Sequence, residues 1–145
     1  MLDKIKDIIR KNDLCVLATA SEDRPHCSLM SYVSDEEVTE IYMVSHKESR
    51  KYLNLMRNPV VSLLIDTREE DKGQQRVRIK ALTVNGEFQP LNDHEKKDSV
   101  RSMLMKMQPH LTDFLNDPGI DIFSIRLKSF QLLDGLKDVF IEIIE

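Results

Sequence analysis

Leu2, Ile5, Ile8 and Ile9 recur at helical spacing, which predicts a short amphipathic helix closing near Asn12-Asp13. Residues 14–20 form a small, mostly apolar run that reads as a strand, and 21–24 are polar turn material. From Pro25 the pattern alternates: His26, Ser28, Met30 and Tyr32 lie on one face of a second strand, and Cys27, Leu29, Ser31 and Val33 on the other. After a turn at 34–37, residues 38–45 read as a third strand. The links are too short for crossover helices, so these three strands predict an antiparallel meander.

Ser45 and Glu48 have capping-box spacing, which predicts a helix over 46–57 that Asn58-Pro59 ends. Residues 60–65 read as a buried strand and 67–74 as a charged loop around Gly73. A long strand over 76–88 follows, with Asn85-Gly86 as a bulge, or instead as a hairpin turn dividing it in two. Asn92 and Glu95 suggest a second capping box and a helix to about Met107, broken by Pro109. A short helix near 111–116 runs into Asp117-Pro118-Gly119, and 120–127 and 136–144 read as strands, with a short strand at 130–133. Many strands, short links and a few helices indicate an α+β protein centred on an antiparallel barrel.

Composition narrows the function classes. The 145 residues suit one domain, with 41% apolar and 32% charged residues. Net charge is −4, from 21 Lys and Arg against 25 Asp and Glu, which argues against a general nucleic-acid binder. Cys15 and Cys27 lack CxxC spacing, and a reducing compartment fits them better than a disulfide framework. Residues 1–7 lack the apolar core of a signal peptide, and no apolar run approaches the ~18 residues needed to span a bilayer. The expectation is a soluble cytoplasmic protein with no membrane or nucleic-acid partner. His26, His46, His94 and His110 show no metal spacing, and no Gly-x-Ser-x-Gly turn supports serine-nucleophile chemistry.

One segment departs from the acidic background. Lys47, Arg50, Lys51 and Arg57 gather around a predicted helix start with Glu48 as the only nearby acid. A helix start carries free N–H groups and a positive dipole end. Ser49, Arg50 and Lys51 add a hydroxyl, a forked donor and a point charge, which together can hold a phosphate monoester. Set against this is an ordinary solvated helix face, and Lys47 and Arg57 are read that way.

Three blocks carry a likeness to a known family: 17–20 followed by a polar turn and 25–32; 45–51 followed by Asn58-Pro59-Val60-Val61-Ser62-Leu63-Leu64; and 76–81. The chain resembles the pyridoxamine 5′-phosphate oxidase-like, FMN-binding split barrels over most of its length. The resemblance implies an antiparallel split β-barrel with flanking helices, and a homodimer holding two FMN molecules at its interface. Ser28, Leu29 and Met30 would then lie along the ring or ribityl chain, and Val44 and Ser45 would line the site at the strand end. Ser49, Arg50 and Lys51 would hold the phosphate, and Arg76 and Arg78 would approach from a neighbouring strand.

The chain also departs from the family. The first turn reads Glu22-Asp23-Arg24 in place of the common Asp-Gly, Ser28 stands where the oxidase tends to have arginine, and Ala81 where glycine is common. There is no tryptophan, and residues 136–145 hold no His or Arg, so the closing signature that recognises pyridoxamine phosphate is missing. The expected function is an FMN-dependent oxidoreductase acting on an unidentified small molecule. A non-catalytic flavin- or haem-binding module and a deazaflavin-dependent reductase stay open beside it. His26 reads as half-buried, with a proton-moving role beside the ring as the sharper alternative. Tyr32 reads as packing between strands, Cys15 as a core residue, and Met103 and Met107 as core filling or a pocket wall.

Overall fold

Buried and exposed positions alternate along most of the strands, and this period of two curls a single sheet around an apolar interior. The computed structural model describes residues 1–70, 78–136 and 138–144. The strands are β1 (Leu14–Ser21), β2 (Arg24–Ser31), β3 (Val33–Ser34), β4 (Glu40–His46), β5 (Val60–Asp66), β6 (Lys80–Pro90), β7 (Ile120–Asp134) and β8 (Asp138–Ile143). The helices are α1 (Leu2–Lys11), α2 (Arg50–Arg57), α3 (His94–Met107) and α4 (Thr112–Leu115).

The sheet order is β2-β1-β5-β6-β7-β4-β3, every pairing is antiparallel, and β8 adds to the far half of β7. The two ends of this order, β2 and β3, are separated in the chain by Tyr32 alone. The sheet must therefore curl back toward itself, and the chain crosses the split at that residue. Tyr32 is buried; its N–H donates to the Asp13 carbonyl at 3.0 Å and its hydroxyl to the Ile9 carbonyl at 2.7 Å. It packs between elements, as the sequence suggested. The antiparallel split barrel with flanking helices is the predicted fold class.

Several predicted elements shift. The three-strand meander is interrupted, because the run from residue 25 to 33 breaks at Tyr32: β2 pairs with β1, whereas β3 pairs with β4. The strand expected over 38–45 starts at Glu40, because Asp35 gathers the preceding turn: its carboxylate accepts from Thr39 N–H and Oγ1 and from Glu40 N–H at 2.6–3.0 Å. Asn85-Gly86 is a bulge in one continuous strand rather than a hairpin turn. Strands expected at 120–127 and 130–133 are one, β7, which bends to serve β4 first and β8 later. Helix α3 is capped by Asp93 in place of Asn92, through a 3.1 Å bond from Glu95 N–H.

Two apolar clusters result. The barrel interior joins Ile5 and Ile9 of α1 to Leu17, Met43, Leu63, Leu82, Phe123 and Phe130. A second cluster, with Val44, Ile122, Val100 and Leu104, fastens α3 to the outer face of β4 and β7. Cys15 is buried, and desolvation pushes its thiol up to about 12, which suits a core residue; Cys27 is exposed.

Candidate functional site at the start of the second helix

Strand β4 ends with Ser45 and His46 paired to Asp121 and Ile120 of β7. Because both residues stay in that ladder, the helix predicted over 46–57 begins only at Arg50, and the cap is Ser49 rather than Ser45. Ser49 has an extended backbone, and its Oγ accepts from Tyr52 N–H at 3.3 Å. Ser45 is buried, with its Oγ 2.8 Å from Ser49 Oγ, so one serine orients the other.

The same helix is clamped from beneath. Tyr52 Oη donates to Asp121 Oδ2 at 2.7 Å, and Lys97 Nζ of α3 donates to Asp121 Oδ1 at 2.7 Å. Burial, then the bond to Asp121, pushes the Tyr52 phenol up to about 12, so it remains a donor. The Tyr52 ring meets Phe88 and Phe123 edge-on, at 6.2 and 6.3 Å between centroids. Asn54 Nδ2 donates to Thr19 Oγ1 of β1 at 3.1 Å, and both residues are buried. Tyr52, Asn54, Lys97 and Asp121 had no part in the sequence reading; their pairing spans up to 69 residues of chain, and no local spacing announces it.

The exposed side of this helix start is cationic. Helices α1 and α3 carry Asp3 and Glu95 in their first turns, whereas the first turn of α2 has no acid and contains Arg50 and Lys51. These cations oppose the helix dipole, at a cost of roughly 0.3–1 kcal/mol each. Neither side chain has a hydrogen-bond or ion-pair partner among the described residues. The Arg50 and Lys51 N–H groups occupy the first helical positions and lack intrahelical acceptors.

The other predicted residues sit as follows. Ser28 is half-buried and faces inward beside Leu17, and His26 does the same beside Thr19. Met30 is buried against Cys15, and Leu29 points outward, 70% exposed. Among the described residues strand β2 pairs with β1 alone, so its other edge leaves backbone groups open along 24–31. The Val44 side chain is buried in the α3 cluster, so only backbone at 44–45 is placed to meet a ligand. Arg78 is exposed just before the start of β6, whereas α2 packs near Phe88 at the other end of that strand. Within one chain, Arg78 and Arg50 are not brought together. Arg76 lies outside the described residues. Met103 and Met107 line a cavity of about 570 Å³ with Tyr32 and Gln108, between α3 and the end of α1.

A groove of about 450 Å³ runs between α2 and the β1–β2 hairpin. Arg24, His26, Arg50, Asn54 and Arg57 line it, with Glu22 as the one acid among the described residues that do. The hairpin tip places Glu22 and Asp23 at φ 54° and 61°, the left-handed pair that a two-residue turn of this kind requires.

Comparison with known proteins agrees with this architecture. The sequence profile of the family described as "Pyridoxamine 5'-phosphate oxidase" matches residues 1–131. No curated protein matches the chain by sequence. An FAD-binding protein of Mesorhizobium loti is 20% identical with a TM-score of 0.74, over 91% of this chain and 93% of its own. HutZ, a haem storage protein of Vibrio cholerae, is 20% identical with a TM-score of 0.72, over 96% and 92%. A haem-binding protein of Mycobacterium smegmatis is 14% identical with a TM-score of 0.81, over 94% of this chain and 55% of its own. At these identities the structures share the fold with this chain.

Proposed function

Given that this chain belongs to the pyridoxamine 5′-phosphate oxidase family, we propose that it binds FMN at the start of α2 and works as a flavin-dependent oxidoreductase. One observation carries the reading. Arg50 and Lys51 stand unpaired in a first turn where their charge opposes the dipole, on an acidic protein. A bound phosphate monoester reverses that sign, turning two unfavourable cations into charge-assisted donors alongside two free N–H groups.

Each neighbouring element has a part in this reading. The Ser45–Ser49 contact and the Tyr52–Asp121–Lys97 clamp hold the helix start in place before the ligand arrives, so little ordering is left for binding to offset. The open edge of β2 at 28–30 offers backbone donors and acceptors to the polar edge of a flavin ring, and Leu29 offers an apolar contact. When bound, the flavin supplies the hydride or electron chemistry, and these residues bind and orient it.

A second copy of the chain completes the site. The outer face carries Leu14, Leu29, Val60, Leu64, Ile141 and Ile143, all exposed and several strongly so: 67% for Ile141 and 69% for Ile143. Such a face favours a two-fold partner, and a partner is the means by which Arg78 reaches a flavin bound at α2. Two free thiols suit a reducing cytoplasm, and no helix of the described residues is long and apolar enough to cross a membrane.

Mass spectrometry of the ligand released from purified protein tests the cofactor, and NAD(P)H oxidation under air tests turnover. FMN with turnover is the expected result. FMN without turnover with any nicotinamide makes the protein a carrier module, and a haem Soret band without flavin absorbance overturns the cofactor assignment.

A further inference from the structure

The groove between α2 and the β1–β2 hairpin holds more positive charge than one phosphate needs. Arg50, Leu53, Asn54 and Arg57 lie at i, i+3, i+4 and i+7, one face of α2, and that face looks onto Arg24, the first residue of β2. Among the described residues, three guanidinium groups therefore meet a single lining carboxylate, Glu22, and none of the three has a hydrogen-bond or ion-pair partner. Gathering like charges in a partly enclosed groove raises the electrostatic free energy of the empty protein, and a polyanion lowers it. The groove's roughly 450 Å³ is more than a single phosphate fills.

The groove is also built rather than loose. Its floor is the buried Asn54–Thr19 bond, which fixes the spacing of α2 from β1. Its rim is the two-residue tip at Glu22-Asp23, whose left-handed backbone turns the chain tightly enough to bring Arg24 back over the helix. Ser49 and Lys51 do not line the groove, whereas Arg50 does. Arg50 therefore stands between the monoester position at the helix start and the hairpin side.

We propose that Arg24 and Arg57, with Arg50, form an extension of the phosphate site that takes a second phosphate, so that the chain accepts a diphosphate-bearing ligand as well as the monophosphate FMN. The inference rests on the FMN reading for its position beside the helix start, and on the groove's own charge for its chemistry.

Calorimetric titration of the full chain and of the R24Q/R57Q variant, with inorganic pyrophosphate and with FMN, separates the two claims. Pyrophosphate is expected to bind the natural chain at least tenfold more tightly than it binds R24Q/R57Q, while FMN affinity falls by a clearly smaller factor. Equal pyrophosphate affinity in the two proteins, or no pyrophosphate binding to either, overturns the proposal. If FMN binds neither protein while the pyrophosphate difference holds, the groove stands and the flavin reading falls; if FMN binds both and the pyrophosphate difference is absent, the reverse is true. Circular dichroism of R24Q/R57Q, whose replaced side chains are exposed, should match the natural chain and so exclude misfolding as the source of any loss.

Discussion

Arg50 and Lys51 are placed where a helix alone would not want them, so stability and ligand binding should pull in opposite directions. Replacing both with Ala removes two cations from the dipole's positive end and is expected to stabilise the ligand-free protein by up to about 1–2 kcal/mol in urea unfolding. A loss of stability would mean that these side chains have native partners. Glu22-Asp23 shows the same tension. Both residues adopt positive φ, which costs roughly 1–2 kcal/mol for an ordinary side chain, so Asn-Gly at 22–23 should raise the melting temperature. An unchanged or lowered melting point would mean that the tip is not strained. Tyr52 brings a pH dependence. Its phenol is raised above 10 to about 12 by burial and by Asp121. The neutral form is thus favoured in the folded state, and this contribution is fully present below pH 10 and fades as pH rises toward 12. Tyr52→Phe should cost about 1–2 kcal/mol at neutral pH and flatten the alkaline limb of the stability profile. An identical alkaline limb in the variant would place that titration elsewhere.

Among the elements, the bulge in β6 and the start of α2 matter most. A Cβ on Gly86 would come within 2.6 Å of the Arg126 carbonyl oxygen, backbone that cannot step aside, and 2.8 Å of the Ile125 side chain. Gly86→Ala is expected to cost about 1–3 kcal/mol, read from denaturant midpoints. A midpoint within error of the natural chain would show that β6 and β7 separate there at no cost. The sequence left this dipeptide open between a bulge and a hairpin turn, because Asn-Gly suits both, and the pairing of β6 with β7 on either side of it decides for the bulge. It misplaced the start of α2 because two serines four residues apart both suit a cap. What decides between them is the pairing of Ser45 with Asp121, a contact 76 residues away that no local window contains. Arg50, Arg57 and Arg24 had a partial signal: a seven-residue spacing marks one helix face, but only the folded hairpin shows what lies opposite.

For the molecule as a whole, an antiparallel barrel was legible because its strands alternate and its links are short, and that the barrel is split was implied only by the family resemblance. The closure at Tyr32 was not, since one apolar residue in a strand pattern gives no sign that pairing changes partner there. The exposed outer face leads to a quaternary prediction. Leu29→Asp with Ile141→Asp should turn a dimer into a monomer in analytical ultracentrifugation at micromolar concentration. A natural chain that sediments as a monomer would leave Arg78 with no route to α2. The central claim is that α2 grips a phosphate on a flavin, and the most direct test compares FMN with riboflavin, which lacks only that group, by quenching of flavin fluorescence. The natural chain should prefer FMN by several kcal/mol, and Arg50→Ala with Lys51→Ala should remove most of that preference. Equal affinity of the natural chain for the two flavins would contradict the account.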